Sequence, residues 1–349
     1  MEIQNNSILI SKSTMKHLST SDYLSDLISR RVGPHVAMSS SDLSPEELVA
    51  RGDKKMTTTL TRWKPDYEAA ATAYEEAGSK FRVKGKKHEA MIAFEKSAEA
   101  NLKEDNEWHA ARSLEMCALI AKDMGTVEEC VSYANRACEA YVSSGRSQRG
   151  AECLGKCAKY LDESNPHEAA KLLNTAIEML EDDEKHVYAM PFYRDIAVVL
   201  MRQEKYAEAS ETMVRFGASC EETGSANAQR KAYLSAIVSL LYDGDGEGAQ
   251  ATYTDVCEIP AFNGSEEQRV AYKLLDAYRS DADAGAIQAI CKNSQELTFL
   301  EAPFARAAKK LPLPKHDLKS ISMKMGGACG ISAVPTISMD PTEDEDDLT

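Results

Sequence analysis

Small residues recur along this chain at a step of forty, and that step limits what it can fold into more than any other feature. Ala90, Cys130, Ala169, Ala209 and Ala249 are separated by 40, 39, 40 and 40 positions. Each lies just inside a turn-plus-helix start: Gly85-Lys86-Lys87-His88-Glu89, Gly125-Thr126-Val127-Glu128-Glu129, Ser164-Asn165-Pro166-His167-Glu168, Gln203-Glu204-Lys205-Tyr206-Ala207 and Gly244-Asp245-Gly246-Glu247-Gly248. Eight residues later stand Ala98, Cys138, Ile177, Gly217 and Cys257. Thirteen residues earlier stand Ala77, Cys117, Ile196 and Ala236, with Cys157 one step out of register in the third unit. Offsets of seven or eight return a helix to the same face, and small residues there let two helices approach closely. A unit of this length holds two helices of roughly 17 residues and two turns. The expected fold is all-α: a tetratricopeptide-like right-handed superhelix of antiparallel helical hairpins over residues 43–260.

Composition agrees with close helix packing. Hydrophobic residues make up 43% of the 349 positions but aromatics only 7%, which leaves the apolar weight on Ala, Leu, Val, Ile and Met. That mixture suits helix-on-helix contact better than a sheet core. The net charge of -15 argues against a general phosphate-binding surface, and so against nucleic acid as a partner. Asp340, Glu343, Asp344, Glu345, Asp346 and Asp347 supply much of that charge with no basic residue among them, so a local basic patch on the body stays open. Nine cysteines without paired spacing, no apolar run of about 18 residues and no secretory pattern at the start predict a cytoplasmic protein with free thiols.

Residues 1–42 are Ser-rich without periodicity and are expected to form a disordered extension, or an upstream start omitted by a shorter form. Glu2, Asp22 and Asp26 oppose a transit peptide, since such peptides are acid-poor. Ser44-Pro45-Glu46-Glu47 predicts a capped helix running to about Met56, and Asp66 predicts the cap of the next. After Ile259-Pro260 the pattern changes. Ser265 should cap a helix ending near Tyr278, with shorter helical segments near 283–292 and 295–309, so residues 261–312 are expected to form a C-terminal helical bundle. Pro312 and Pro314 should end regular structure, leaving 313–349 as a mobile acidic tail.

Several motifs suggest chemistry and fail on inspection. Cys153 and Cys157 share a helix face, but zinc needs a second pair and none of matching spacing exists. Asp243, Asp245 and Glu247 with Gly248 resemble the start of a calcium loop, yet its twelfth position is Thr254 and not Glu. His88 and His167 occupy equivalent turns and have no nucleophile with an orienting acid beside them. No catalytic residue, metal or cofactor is expected. Two features remain. Leu60 and Trp63 stand in a loop among Arg62, Lys64, Lys54 and Lys55, where apolar tips between cations either dip into an anionic membrane surface or pack on the first hairpin. The terminus Asp346-Asp347-Leu348-Thr349 ends an acidic run with one apolar residue.

Trp63-Lys64-Pro65-Asp66-Tyr67 ahead of an Ala-rich helix, and Ile259-Pro260-Ala261-Phe262-Asn263-Gly264-Ser265-Glu266 at the junction with the bundle, resemble the SNAP family, and within it the gamma type. With the repeats between them the resemblance covers about residues 44–310, and the acidic end with penultimate Leu348 matches as well. The resemblance implies an adaptor and not an enzyme. Such a protein binds the four-helix SNARE bundle left after membrane fusion, recruits the hexameric ATPase NSF, and stimulates its hydrolysis so that the bundle is pulled apart. It is a monomer when free, with several copies on one SNARE complex, and is peripherally associated with membranes. Carried onto this chain, Leu348, Asp346 and Asp347 face NSF, and Leu60 and Trp63 touch the membrane. Arg146 matches a basic SNARE-contact position. Neighbouring positions fall on Glu152, Pro191 and Asp195, which are not basic, and Arg149, Lys156 and Lys159 lie close enough to substitute. The competing reading is a helical-repeat scaffold of another trafficking or proteasome-like assembly without an NSF link.

Overall fold

Ser44 opens the first helix with a reciprocal cap. Its hydroxyl accepts from the Glu47 backbone N–H at 3.2 Å, and its own N–H donates to the Glu47 carboxylate at 2.8 Å. Two of the N–H groups that a helix start leaves orphaned are thereby satisfied. The computed structural model describes residues 43–59, 62–280 and 284–312. It contains fifteen helices among the described residues and no strand there beyond an isolated Thr59–Arg62 bridge. The expectations for residues 1–42 and 313–349 lie outside the described residues. The chain divides between Arg146 and Ser147 into two compact units.

The first unit holds α1 (Pro45–Met56), α2 (Tyr67–Val83), α3 (Lys87–Lys103), α4 (Glu107–Met124) and α5 (Val127–Ser143), each packed on the next. The second holds α6 (Ser147–Leu161), α7 (Pro166–Asp182), α8 (His186–Arg202), α9 (Tyr206–Glu222), α10 (Ala226–Asp243) and α11 (Gly246–Val256) in the same serial packing. It closes with α12 (Glu266–Arg279), α13 (Ala284–Asn293), α14 (Gln295–Thr298) and α15 (Ala302–Ala308). The forty-step residues Ala90, Cys130, Ala169, Ala209 and Ala249 are all buried. So are their companions at the other two offsets, Gly217 included. Where side chains are this small, polar groups enter the core only with partners. Buried Ser97 on α3 donates to the Ala71 carbonyl on α2 at 3.1 Å and accepts from Ser113 on α4 at 3.2 Å.

Backbone geometry carries a second, finer period. Left-handed residues occur at Gly85, Asp105, Gly125, Gly145, Glu184, Glu204, Gly224, Gly244 and Gly264, close to one per helix end. Glycine adopts this conformation without penalty, whereas an L side chain costs about 1–2 kcal/mol. Asp105, Glu184 and Glu204 therefore hold strained turns, with φ of 55°, 55° and 60°. The exception is the α6–α7 turn. There Asn165 precedes Pro166, which keeps it out of the helical region, at φ -145° and ψ 70°. We expect Glu204→Gly to stabilise the protein by about 1 kcal/mol, after allowing for the freer unfolded chain. Urea unfolding checks this, and an unchanged or lower midpoint would contradict it.

Two local departures have plain causes. The segment expected over 295–309 breaks into α14 and α15, because Pro303 at the start of α15 would clash with the carbonyl four residues back if the helix ran on. Conversely, Pro191 sits inside α8. The carbonyl it leaves unserved belongs to Val187, whose residue is exposed, so water is at hand.

Candidate interaction surfaces

The loop between α1 and α2 is clasped at its base. Lys55 pairs with Asp66 at 2.7 Å, and the Asp66 N–H donates to the Lys55 carbonyl at 3.0 Å. Asp66 also caps α2 through the Ala69 N–H at 3.2 Å, as expected. The hydrogen bond from Lys55 holds the Asp66 carboxyl below the ordinary carboxylate range. Arg62 spends its guanidinium on the carbonyls of Lys54 and Thr57, at 2.8 and 2.6 Å. Trp63, the next residue, is 92% exposed, so the alternative in which it packs on the first hairpin is overturned. Leu60 lies outside the described residues.

Arg146 belongs to a cluster that its position in the sequence does not reveal. Its guanidinium lies 5.3 Å from the centroid of the Trp108 ring, and Arg112 lies 5.1 Å from the same centroid. The exposed His109 ring meets Trp108 edge-on at 4.5 Å. Trp108 is half-buried and rests on Ala111, Ala140 and Tyr141. Trp108 and Arg112 are four apart on one helix, a neighbour signal that a sequence contains. The approach of Arg146 from beyond α5 has no such signal.

The other three cations named from the sequence stand on α6 and are exposed. Arg149 and Lys159 already have carboxylate partners, Glu152 at 2.6 Å and Asp195 at 3.3 Å. Those carboxylates are the residues that stand at two positions where the resemblance implies cations. Asp346, Asp347 and Leu348 lie outside the described residues. The second unit also has an open groove of about 720 Å³ beside α8 and α10. Its cations are matched as well: Arg194 by Glu301 at 3.6 Å and Arg230 by Glu267 at 3.3 Å, while Lys231 lies over the Phe299 ring.

The cysteines behave as packing residues. The eight among the described residues are buried thiols. Burial pushes the Cys117 thiol up to about 12, and those of Cys138, Cys220 and Cys291 up to about 11. Among the described residues no three His, Cys, Asp or Glu side chains gather as a metal would require, and no helix there is long and apolar enough to cross a membrane. The acidic, Gly-rich loop before α11 is a turn: Gly244 is left-handed at φ 82°, and Asp245 caps the helix through the Gly248 N–H at 2.8 Å.

Comparison with known proteins places these hairpins. Residues 43–301 match the family model described as soluble NSF attachment protein, SNAP. A gamma-soluble NSF attachment protein from Arabidopsis thaliana is 34% identical over 81% of this chain and 96% of its own length. One from Dictyostelium discoideum is 27% identical over 80% and 86%. The vesicular-fusion protein SEC17 of Komagataella phaffii is 26% identical over 67% of this chain and 83% of its own. These matches show that the chain belongs to the soluble NSF attachment protein family, whose members are adaptors and not enzymes.

Proposed function

We propose that this protein binds SNARE bundles after membrane fusion and couples them to the NSF hexamer, stimulating the hydrolysis that pulls them apart. The observation that carries the reading is the family match, which spans the described hairpins from α1 to the start of α15. In this reading the α6 cations Arg149, Lys156 and Lys159, together with Arg146, meet the acidic SNARE surface, and the Trp63 loop with Leu60 rests on the membrane. Asp346, Asp347 and Leu348 engage NSF. Several copies act on one SNARE complex while the free protein is a monomer, and it works at the cytoplasmic face of membranes. Exposed ion pairs contribute only about 0–1 kcal/mol each, and Arg149 and Lys159 must first leave Glu152 and Asp195. Affinity therefore comes from several copies and the membrane acting together.

The test is recovery from membranes and cytosol with ATP hydrolysis blocked. The full chain is expected to bring down SNAREs and NSF together. A chain lacking Leu348 and Thr349 should keep the SNAREs and lose most of its stimulation of NSF. Capture of neither partner by the full chain would overturn the function, and undiminished stimulation by the shortened chain would overturn the role of the tail.

A further inference from the structure

Antiparallel hairpins put alternate turns on the same edge of a stack. In the first unit the α1–α2 loop, the α3–α4 turn and the end of α5 share one edge. Two contacts show it: Lys64 in the first reaches Glu104 in the second at 3.6 Å, and Arg146 beyond α5 reaches Trp108 at the start of α4. Three of the six large exposed apolar residues described in the first unit stand on that edge. They are Trp63, then Leu102 and Val142, which stand forty residues apart in the last turns of α3 and α5. Both tryptophans of the chain lie there. So do Arg112 and Arg146, neither of which has a carboxylate partner among the described residues. Both are instead stacked on the Trp108 ring. Asp105 and Glu107 also stand on the edge, so its basic character is confined to the two arginines at the Trp108 ring.

We propose that this whole edge, and not the Trp63 loop alone, is a membrane-facing strip that seats on anionic lipid headgroups. Arg112 and Arg146, held on the two-ring plane of Trp108, would take lipid phosphate or carboxylate oxygens, while Trp63, Leu102 and Val142 enter the interfacial layer. Three properties of the edge favour a bilayer over an acidic protein. Its apolar tips are spread singly along a line and do not form one pocket. Tryptophan is the residue that interfacial regions favour. Cations interleaved with apolar tips are the pattern of a chain that lies on an anionic surface. The inference rests on the membrane part of the function proposed above and extends it to Trp108 and Arg112; it leaves Arg146 serving both lipid and SNARE contacts.

The presence of only two tryptophans makes the test direct. In the full chain, Trp63→Phe leaves Trp108 as the sole indole, and Trp108→Phe leaves Trp63. Each is mixed with vesicles of brominated phosphatidylcholine, with and without roughly a third phosphatidylserine. Quenching of Trp108 emission is expected in the anionic vesicles, with little in the neutral ones, and Arg112→Gln should lower partitioning onto the anionic vesicles about fivefold. Circular dichroism confirms that this exposed substitution leaves the helices intact. Quenching of Trp63 without Trp108 would overturn the strip and leave the loop as the membrane contact. Quenching of neither would overturn both. An equal response of Trp108 to inorganic phosphate or to an acidic helical peptide would reassign the arginines to soluble anions, and unchanged partitioning of Arg112→Gln would also overturn the proposal.

Discussion

Gly217→Val is expected to destabilise the second unit by about 3 kcal/mol, read as a lowered midpoint in urea unfolding. A Cβ at this position would stand 2.6 Å from Cζ of Tyr233, with a further ring carbon of Tyr233 closer still. The ring cannot retreat. It is buried, Phe262 meets it edge-on at 5.7 Å, and its hydroxyl accepts from Gln229 at 3.3 Å. α9 and α10 therefore touch through the absence of a side chain. Opposing this, a residue other than glycine gains at most about 1 kcal/mol of helix preference, which does not offset a core clash. A midpoint within about 0.5 kcal/mol of the parent would show that α9 and α10 are not this close.

The second large effect concerns the thiols. Labelling by a disulfide reagent begins with the cysteine thiolate attacking a reagent sulfur and expelling the other as the leaving thiolate. A thiol whose midpoint is about 12, as at Cys117, exposes roughly one thiolate in 10,000 at pH 8, against roughly a quarter for an ordinary cysteine. Burial adds the need for local opening before the reagent can enter. Native protein should therefore label at the eight described cysteines at least about a thousandfold more slowly than protein in guanidinium. The sign with pH follows from the raised midpoint: between pH 8 and 9 the Cys117 rate should climb about tenfold, whereas that of an ordinary thiol climbs only about threefold. Rapid labelling of native Cys153 and Cys157 would mean that α6 is not packed as described.

Much of this fold is written in spacing. The forty-step residues are buried because a helix face returns every seven or eight positions, and a stack of hairpins leaves only that face dry. Ser44, Asp66 and Ser265 cap helices because each is a short acceptor placed just before a helix's unpaired N–H groups. Other features depend on partners far away in the chain. Asp105, Glu184 and Glu204 take left-handed turns that their residue types do not announce, because the hairpin closing around them requires it. The site divides in the same way. Trp63 could be placed in an inter-helix loop from its neighbours, but its exposure is a property of the folded loop that the neighbours do not announce. Arg146 could be singled out as a cation, but its companions Trp108 and Arg112 emerge only when α4 and α5 are brought side by side. The partners of Arg149 and Lys159 differ in the same respect. Glu152 is one helical turn from Arg149, whereas Asp195 comes from α8.

Ten consecutive residues of α10, Ala232 to Leu241, are buried, so over that stretch the helix has no outward side. α9 and α11 cover part of it, and α12 and α15 cover the rest. The last hairpin and the terminal bundle are thus halves of one interior. A shortened product ending near Pro260 would display Tyr233 and its neighbours as a bare oily flank, and such a fragment is a substrate for chaperones and proteases before it is an adaptor. On this packing, loss of the final helices is expected to unseat the last hairpin as well.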